Sequence, residues 1–187
     1  MGHCFEKAMV EQCAPTLAGV KVGSLFRIAG LSSARASASF WDQTLSPLGV
    51  RVMVLKECPA ADACMIYVYR EKWLGRLLAQ KGISDFLSGI GYDTTEGVGM
   101  LSLLSRRFCL EQEYPHEIGV FLGYPLEDVV GFIANRGHNF TCCGHWKCYG
   151  DPAVAQARFA RYRACTAELK QRYGQGATLH QLVVTAA

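Results

Sequence analysis

The stretch Val50–Arg70, VRVMVLKECPAADACMIYVYR, contains the two clearest strand signals of the sequence and decides the fold class. Its first part, VRVMVLKE, is rich in β-branched residues and follows the turn signal SPLG, and its last part, ACMIYVYR, is the second strand signal. Seven residues separate Lys56 from Cys64, a length that suits a hairpin loop. The stretch therefore predicts two neighbouring antiparallel strands.

Helical patterns precede this hairpin. Residues His3 to Gln12 predict a first helix, and Pro15 is expected to end it because a proline pushes the preceding residue out of the helical region. The segment PTLAGVKVGSLF (15–26) contains two glycines and predicts a turn-and-helix connection. A further helix is predicted to begin with Ser32 or Ser33 as its N-cap.

The region after the hairpin predicts mainly helices. EKWLGRLLAQKG (71–82) carries an apolar stripe that ends at Gly82, and ISDFLSGIGY (83–92) reads as a short helical turn. HEIGVFL (116–122) predicts a third strand. The remaining predicted helices are DTTEGVGMLSLLSRRF (93–108), opened by an Asp-x-x-Glu cap, LEDVVGFIANRG (126–137), stopped by Gly137, and a final helix that Asp151 caps and Pro152 begins.

The order of these elements indicates one α+β domain. Strands and helices do not alternate strictly as βαβ units, so we expect a small, mainly antiparallel sheet of three to four strands packed with about six helices. The 187 residues suit a single domain over residues 1–187.

Composition narrows the class of protein. A net charge of +3 gives no argument for a nucleic-acid partner, and Arg158, Arg161 and Arg163 read as a solvated helix face. No signal peptide is recognised at the start, and no run approaches the ~20 apolar residues of a membrane span. We therefore expect a cytosolic protein, in which the nine cysteines are mostly free thiols or ligands.

The segment GHNFTCCGHWKCYGD (137–151) is where chemistry is expected. It holds three cysteines and two histidines within eleven residues, all acceptable ligands for a borderline ion such as zinc. It contains no Cys-x-x-Cys pair, so the spacing differs from that of a standard zinc site. The candidate ligands are His138, Cys142, Cys143, His145 and Cys148.

A structural disulfide between Cys142 and Cys143 is not expected. Neighbouring Cα atoms lie ~3.8 Å apart across a trans peptide, whereas ordinary bridges need at least ~4.4 Å. Thiol chemistry instead requires a nearby cation that lowers the pKa of a cysteine, and Lys147 and His145 are near in sequence. A histidine could also serve as a base for such a thiol.

Other residues are candidates for binding a ligand. Trp146 and Tyr149 alternate with Lys147 as on a half-exposed strand, and these rings could stack on a planar molecule. Lys21 and Ser24 lie in GVKVGS, which lacks P-loop spacing but remains a candidate anion site.

Several blocks together resemble an uncharacterised bacterial family, domain of unknown function 3793, found chiefly among anaerobes. The blocks are CAPTLAGVKVGSLF (13–26), PHEIGVFLGYPLEDVVGFI (115–133) and CCGHWKCYGD (142–151), as well as the strands above. The resemblance implies iron, haem or electron-transfer roles and a flavodoxin-like partner. In the family motif, His138, His145 and Cys148 fall at variable positions. The positions that match it in the last block are Cys142, Cys143, Gly144, Trp146, Lys147, Tyr149, Gly150 and Asp151.

Our first hypothesis is a thiol-centred site. The Cys142–Cys143 turn, with His116 and Cys13, would line one pocket that binds a soft metal or an iron- or haem-type ligand, or that performs thiol redox chemistry. Cys142, Cys143 and His116 are both the candidate reactive groups and the candidate metal ligands, for iron or zinc. The further candidate ligand-binding residues are Cys13, Lys21, Trp146, Lys147 and Tyr149.

Two other hypotheses belong to different classes. The chain could be an enzyme with a cysteine nucleophile, His116 as its base, and Asp128 or Glu127 orienting the imidazole. It could also be a binding or adaptor module without chemistry, in which Arg158, Arg161 and Arg163 face a partner.

Overall fold

A three-stranded antiparallel sheet lies at the centre of the computed structural model, which describes residues 2–93, 97–110 and 115–185. The strands are β1 (Gly23–Ala29), β2 (Val50–Cys58) and β3 (Ala63–Arg70), and β3 lies between the other two. β2 and β3 pair antiparallel, which confirms the predicted hairpin. With the helices around the sheet, this arrangement also confirms the α+β class.

Helices cover both faces of this sheet. They are α1 (Gly2–Leu17), α2 (Leu31–Leu45), α3 (Glu71–Leu78), α4 (Lys81–Gly89), α5 (Gly97–Leu110), α6 (Ile118–Phe121), α7 (Leu126–Ala134), α8 (Pro152–Gly174) and α9 (Leu179–Leu182). On β3, Ile66 and Val68 pack into one core cluster with α1, α2, α8 and α9, whereas Tyr67 and Tyr69 pack into a second cluster with α3 to α7. Alternate residues of a strand point to opposite faces, so a strand buried on both faces is almost continuously apolar.

The first helix is longer than predicted. α1 continues through Pro15 to Leu17, so the expectation that Pro15 ends it is wrong. Proline lacks only one backbone donor, and here it lies in the last turn of the helix. Its carbonyl accepts hydrogen bonds from the backbone N–H groups of Val20 (2.7 Å) and Lys21 (2.9 Å), which turn the chain away from the helix.

The segment after α1 forms strand β1 instead of the predicted turn and helix. Its glycines have two different roles, which the sequence pattern does not separate. Gly19 adopts a φ of 69° and makes the turn. Gly23 belongs to the strand, where a Cβ atom would lie 2.7 Å from the Tyr67 ring. The sequence pattern predicts a turn at Gly23, but the residue lies inside the sheet, where the Tyr67 ring approaches its backbone closely.

The predicted third strand over residues 116–122 is also wrong. His116 lies in a turn, and Ile118–Phe121 form the short helix α6, in which all four residues are buried. A short apolar run is compatible with a buried strand or a buried helix, because periodicity does not distinguish them. In the helical turn that the chain adopts, Gly119 packs closely against α7, since a Cβ on Gly119 would lie 2.8 Å from Val129 Cγ2.

Several helix boundaries differ from their predictions. α2 begins after Gly30, a left-handed residue, and Ser33 donates to the Gly30 carbonyl instead of acting as the N-cap. α3 ends at Leu78, and Gly82 lies inside α4. The predicted Asp-x-x-Glu cap of α5 includes residues 94–96, which lie outside the described residues.

The cysteine-rich segment forms a second, two-stranded sheet. Its strands are β4 (Cys142–Cys143) and β5 (Lys147–Cys148), which pair antiparallel around a tight loop. α8 follows directly, and Asp151 caps it as predicted by accepting a hydrogen bond from the N–H of Ala153 at 2.8 Å. In the described part of the chain, no helix combines the length and the apolar character needed to cross a membrane.

Candidate functional site

A cavity of about 320 Å³ lies between the α6–α7 region and the β4–β5 hairpin. Its lining is mainly apolar and includes the rings of Phe132 and Trp146. The thiol-bearing residue Cys143 and the imidazole-bearing residue His116 line this same cavity. A nucleophilic group and a basic group thus share one apolar space, which is the usual composition of a small-molecule site.

The two adjacent cysteines face different surroundings. They are consecutive residues of β4, and consecutive side chains of a strand point to opposite faces. Cys143 lines the cavity, whereas Cys142 packs against the buried cluster formed by Trp146, Cys148 and Phe159. The predicted pocket therefore contains one thiol of the pair, and Cys142 is not among its lining residues.

Asp128 holds the hairpin against α7. Its carboxylate accepts hydrogen bonds from the indole Nε1–H of Trp146 (2.6 Å) and from the backbone N–H groups of Tyr149 (2.6 Å) and Gly150 (2.9 Å). The side chain is 3% exposed, and a carboxylate buried to this extent requires such donors. Asp128 therefore positions the hairpin rather than the imidazole that the sequence assigned to it. The alternative orienter, Glu127, has its carboxylate beside Gly150.

His116 is held by its ring contact and by the turn that carries it. The imidazole packs edge-on against Phe132, with the ring centroids 4.9 Å apart. The next residue, Glu117, is buried and accepts hydrogen bonds from Arg107 Nη1 (2.7 Å) and the Tyr92 hydroxyl (3.0 Å). The hydrogen bonds to Glu117 hold the turn in place, and the imidazole of His116 lies at the cavity wall.

Lys147 is the cation at the edge of the cavity. Its ammonium donates a hydrogen bond to the Gly137 carbonyl at 2.7 Å and lies 5.0 Å from the centroid of the Phe140 ring. Trp146 forms a wall, 7% exposed, and stacks on Tyr124 with a centroid distance of 4.8 Å. The predicted ligand-binding pair Trp146 and Lys147 therefore lies at the cavity.

Tyr149 does not line this cavity. Its ring packs against Gly131, where a Cβ atom would lie 2.5 Å from the ring, and its hydroxyl is buried without a partner in the described residues. Burial raises the pKa of the Tyr149 phenol, and the nearby Asp128 carboxylate raises it further. Its role in this structure is to pack the hairpin on α7.

Cys13 and Lys21 lie outside the cavity. Cys13 is fully buried in the core cluster of α1, and burial raises the pKa of its thiol far above the ordinary range. Lys21 is 9% exposed, and burial lowers the pKa of its ammonium to about 8. The ammonium faces the Tyr124 and Tyr162 rings at 5.1 and 5.9 Å, and Ser24 pairs with the Thr16 hydroxyl.

The proposed three-ligand metal set does not form. Within residues 2–93, 97–110 and 115–185, no group of three or more His, Cys, Asp or Glu side chains could hold a metal ion. Strand alternation separates Cys142 from Cys143, so one thiol of the pair shares the cavity with His116. Asp128 also lines the cavity, but both oxygens of its carboxylate already accept hydrogen bonds from Trp146, Tyr149 and Gly150, which leaves Cys143 and His116 as the donors for a metal. His145 instead packs against Tyr162, with ring centroids 5.2 Å apart, and burial lowers its pKa, as do Lys21 and Arg163.

The comparisons with known proteins give a family. A family model described as Protein of unknown function (DUF3793) matches residues 9–183. The chain belongs to this family. A search of the curated proteins finds no match, and neither does a search of the solved structures. The DUF3793 match includes the central sheet, the hairpin and α8, and every residue of the cavity lies within it.

The DUF3793 cavity also uses residues that the sequence reasoning missed. Phe132 and Tyr124 form walls, although the pattern suggests only a helix core and a turn. Gly144 lines the cavity too, and a Cβ atom there would lie 2.3 Å from the Phe159 ring. The sequence does contain a signal for this close approach to α8, namely the glycine directly after the two cysteines, because a residue without a side chain lets the loop come near the helix.

Proposed function

We propose that this DUF3793 protein binds a planar, largely apolar small molecule in the cavity, and that Cys143 and His116 bind a soft metal carried by that molecule. The observation that carries the proposal is that one thiol and one imidazole line the same apolar cavity. Its volume of about 320 Å³ lies at the lower end of the range for small-molecule sites. A cytosolic location, where thiols stay reduced, is part of the proposal.

The number of donors favours a metal complex over a bare ion. Thiolate and imidazole are both ligands of iron and zinc, and a tetrahedral protein site for zinc needs four ligands. With two donors from the protein, the metal would arrive with its other positions already filled. An iron tetrapyrrole has this property, since its ring nitrogens supply most of the ligands of the iron, and Cys143 and His116 would supply the rest.

The surrounding side chains suit the rest of such a molecule. Trp146 and Phe132 offer aromatic surfaces against which a flat ring can pack. Lys147 lies at the edge of the cavity, where its ammonium could pair with an acidic substituent of the ligand. These three residues would bind the ring, and Cys143 and His116 would bind its metal.

The test starts with protein purified without oxygen, which is analysed for iron and zinc and for visible absorption. Apoprotein is then titrated with iron protoporphyrin, and the wild-type chain is expected to give a saturable change in the visible spectrum of the iron compound. Cys143→Ser and His116→Ala should each weaken binding at least tenfold and change the spectrum. Cys109→Ser and His180→Ala, which remove an exposed thiol and an exposed imidazole elsewhere, should behave as wild type. Equal binding by all five proteins would reject the proposal.

A second candidate is an enzyme that uses Cys143 as a nucleophile and His116 as its base. Exposure of Cys143 at a cavity that also holds the imidazole supports it. Iodoacetamide should then alkylate Cys143 faster than the exposed thiols Cys4 and Cys109, and His116→Ala should remove this advantage. Equal alkylation rates for the three thiols would rule the candidate out.

A partner-binding role has support of its own on α8. Arg158, Arg161 and Arg163 are exposed there, and they offer a positive surface to an acidic partner such as a flavodoxin-like protein. Reversal of these charges to glutamate should abolish association with flavodoxin, whereas Cys143→Ser should retain it. Unchanged association after the charge reversal would contradict this role.

A further inference from the structure

Cys142 has a partner across the hairpin. In the β4–β5 ladder it lies directly opposite Cys148, and Cys143 lies opposite Lys147. Directly paired residues of an antiparallel ladder have Cα atoms about 4.5–5.5 Å apart, and disulfides span Cα distances of about 4.4–6.8 Å. Paired residues also project from the same face, so the backbone brings Cys142 together with Cys148, unlike Cys142 with Cys143.

The packing of the two side chains agrees with this register. Cys148 is a member of the buried cluster that also holds Trp146 and Phe159, and Cys142 packs against that same cluster. Cβ atoms of paired residues lie about 4.5–5.5 Å apart, while a disulfide needs about 3.8 Å, so closure requires an approach of about 1 Å. Each strand of this ladder is two residues long, which allows such a local adjustment.

We propose that Cys142 and Cys148 are a dithiol–disulfide redox site, which low-molecular-weight disulfides such as oxidised glutathione convert to a cross-strand bond. This site lies on the opposite face of β4 from Cys143, and the proposal does not depend on a ligand in the cavity. All nine cysteines lie in the described residues, and each is a free thiol there.

Accessibility sets the order of the two chemical steps. Cys142 is half-buried and Cys148 is 1% exposed, and burial raises the pKa of the Cys148 thiol. The Cys142 thiolate therefore attacks one sulfur of the oxidant, forms a mixed disulfide and releases one thiolate. The Cys148 thiolate then attacks the Cys142 sulfur and releases the second. Two electrons pass to the oxidant, and the two protons from the cysteines end on the two released thiols.

The tryptic sites of the chain allow a direct test. Trypsin cleaves after Arg136, Lys147 and Arg158, so Cys142 and Cys148 fall in separate peptides, GHNFTCCGHWK and CYGDPAVAQAR. The full-length protein is treated with oxidised glutathione, its remaining thiols are blocked in acid, and the non-reduced digest is analysed by mass spectrometry. A Cys142–Cys148 bond links the two peptides until reductant is added, whereas a Cys142–Cys143 bond leaves GHNFTCCGHWK alone and lighter by two hydrogens.

Cysteine variants show whether Cys142 or Cys143 forms the bond to Cys148. Cys143→Ser should form the linked peptides as wild type does, and Cys142→Ser and Cys148→Ser should not form them. Cys148→Ala, checked for native circular dichroism, provides a second variant if the serine at this buried position prevents folding. The proposal is overturned by a link that is lost in Cys143→Ser, by an adjacent bond within one peptide, or by a glutathione adduct on Cys142 that does not proceed to the link.

Discussion

Trp146 donates a buried hydrogen bond of 2.6 Å to Asp128, and this contact joins the β4–β5 hairpin to α7. The same carboxylate accepts from the backbone N–H groups of Tyr149 and Gly150, so three donors of the hairpin converge on one side chain. Because Trp146, Asp128 and Phe132 all line the cavity, the contact also fixes the distance between two of its walls. The shape of the cavity therefore depends on a carboxylate that would not itself react.

We expect Asp128→Asn to destabilise the fold by about 1–3 kcal/mol, because one acceptor oxygen becomes an amide that donates. The amide nitrogen would face the indole N–H of Trp146 or the two backbone N–H groups, and in either case buried donors meet without an acceptor. Urea unfolding followed by circular dichroism measures the free energy of unfolding. Asp85→Asn is the control, since Asp85 belongs to an exposed ion pair with Lys81 and its loss should have no measurable effect. Equal stabilities of the two variants would show that Asp128 does not hold the hairpin.

A methyl group on Gly144 should disturb the hairpin by steric contact. The Cβ atom of Gly144→Ala would lie 2.3–2.8 Å from three atoms of the Phe159 ring, and the ring is packed in the buried cluster of α8. Overpacking of this kind costs about 1–3 kcal/mol. Thermal unfolding should show a lower midpoint for Gly144→Ala. Gly174→Ala is the matched control, because nothing lies within 4 Å of its Cβ position. An unchanged midpoint for Gly144→Ala would mean that Phe159 can move away freely.

The sequence was sufficient for the parts of the fold that depend on local pattern. The hairpin of β2 and β3 follows from β-branched runs on either side of a turn, and Asp151 follows from the preference for acidic caps before a proline. The run 116–122 is predicted as a strand, whereas Ile118–Phe121 within it form a helix, because a short buried apolar run suits either structure and its periodicity does not distinguish them. The prediction of a turn and a helix in place of β1 is wrong because Gly23, a turn residue by its pattern, lies inside the strand against the Tyr67 ring.

The candidate site, too, could be predicted only in part from the sequence. Cys143, His116, Trp146 and Lys147 were named from the sequence, and they line one cavity. The adjacency of Cys142 and Cys143 suggested a joint role, although strand alternation separates the two side chains. The role of Asp128 could not be predicted, because its partners lie 18 to 22 residues away and no local pattern connects them.

Arg70 should contribute strongly to stability through hydrogen bonds to backbone carbonyls. It is 1% exposed, and its guanidinium donates to the carbonyls of Thr16 and Leu17 at the end of α1 and to that of Val184. Arg70→Met would remove three charge-assisted hydrogen bonds, which we expect to cost at least about 2 kcal/mol. The carbonyls of Thr16 and Leu17 would keep their backbone donors, the N–H groups of Gly19 and Val184. The measurement is again urea unfolding.

The control for this variant is Arg76→Met, which removes an exposed arginine from α3 and should change the stability little. Arg70→Lys is a second test, since an ammonium cannot reproduce the fork of donors that reaches both α1 and Val184. We expect the lysine variant to lose most of the same stability. A lysine variant as stable as wild type would mean that the charge alone, and not the hydrogen-bond geometry, stabilises the end of α1.

Lys21 should give the protein a characteristic dependence on pH. Burial lowers the pKa of its ammonium to about 8, whereas the unfolded chain has a lysine pKa of about 10.4. Below pH 8 both states are protonated, and the folded chain bears the full cost of a buried charge. Between these two values only the unfolded chain keeps the proton, so the free energy of unfolding rises with pH through this group.

Lys21→Met removes this contribution, and its effect should therefore change with pH. At pH 7 the variant is expected to be as stable as wild type or more stable, and by pH 10 wild type should have gained about 2–3 kcal/mol relative to it, at 1.36 kcal/mol per pH unit. The buried thiol of Cys13 and the nearby Tyr162 titrate in both proteins, so the difference between the two unfolding curves is the quantity to follow. Lys7→Met, which removes an exposed lysine, should give no such trend. A difference between wild type and Lys21→Met that stays constant from pH 7 to pH 10 would show that the Lys21 ammonium remains charged in the folded chain.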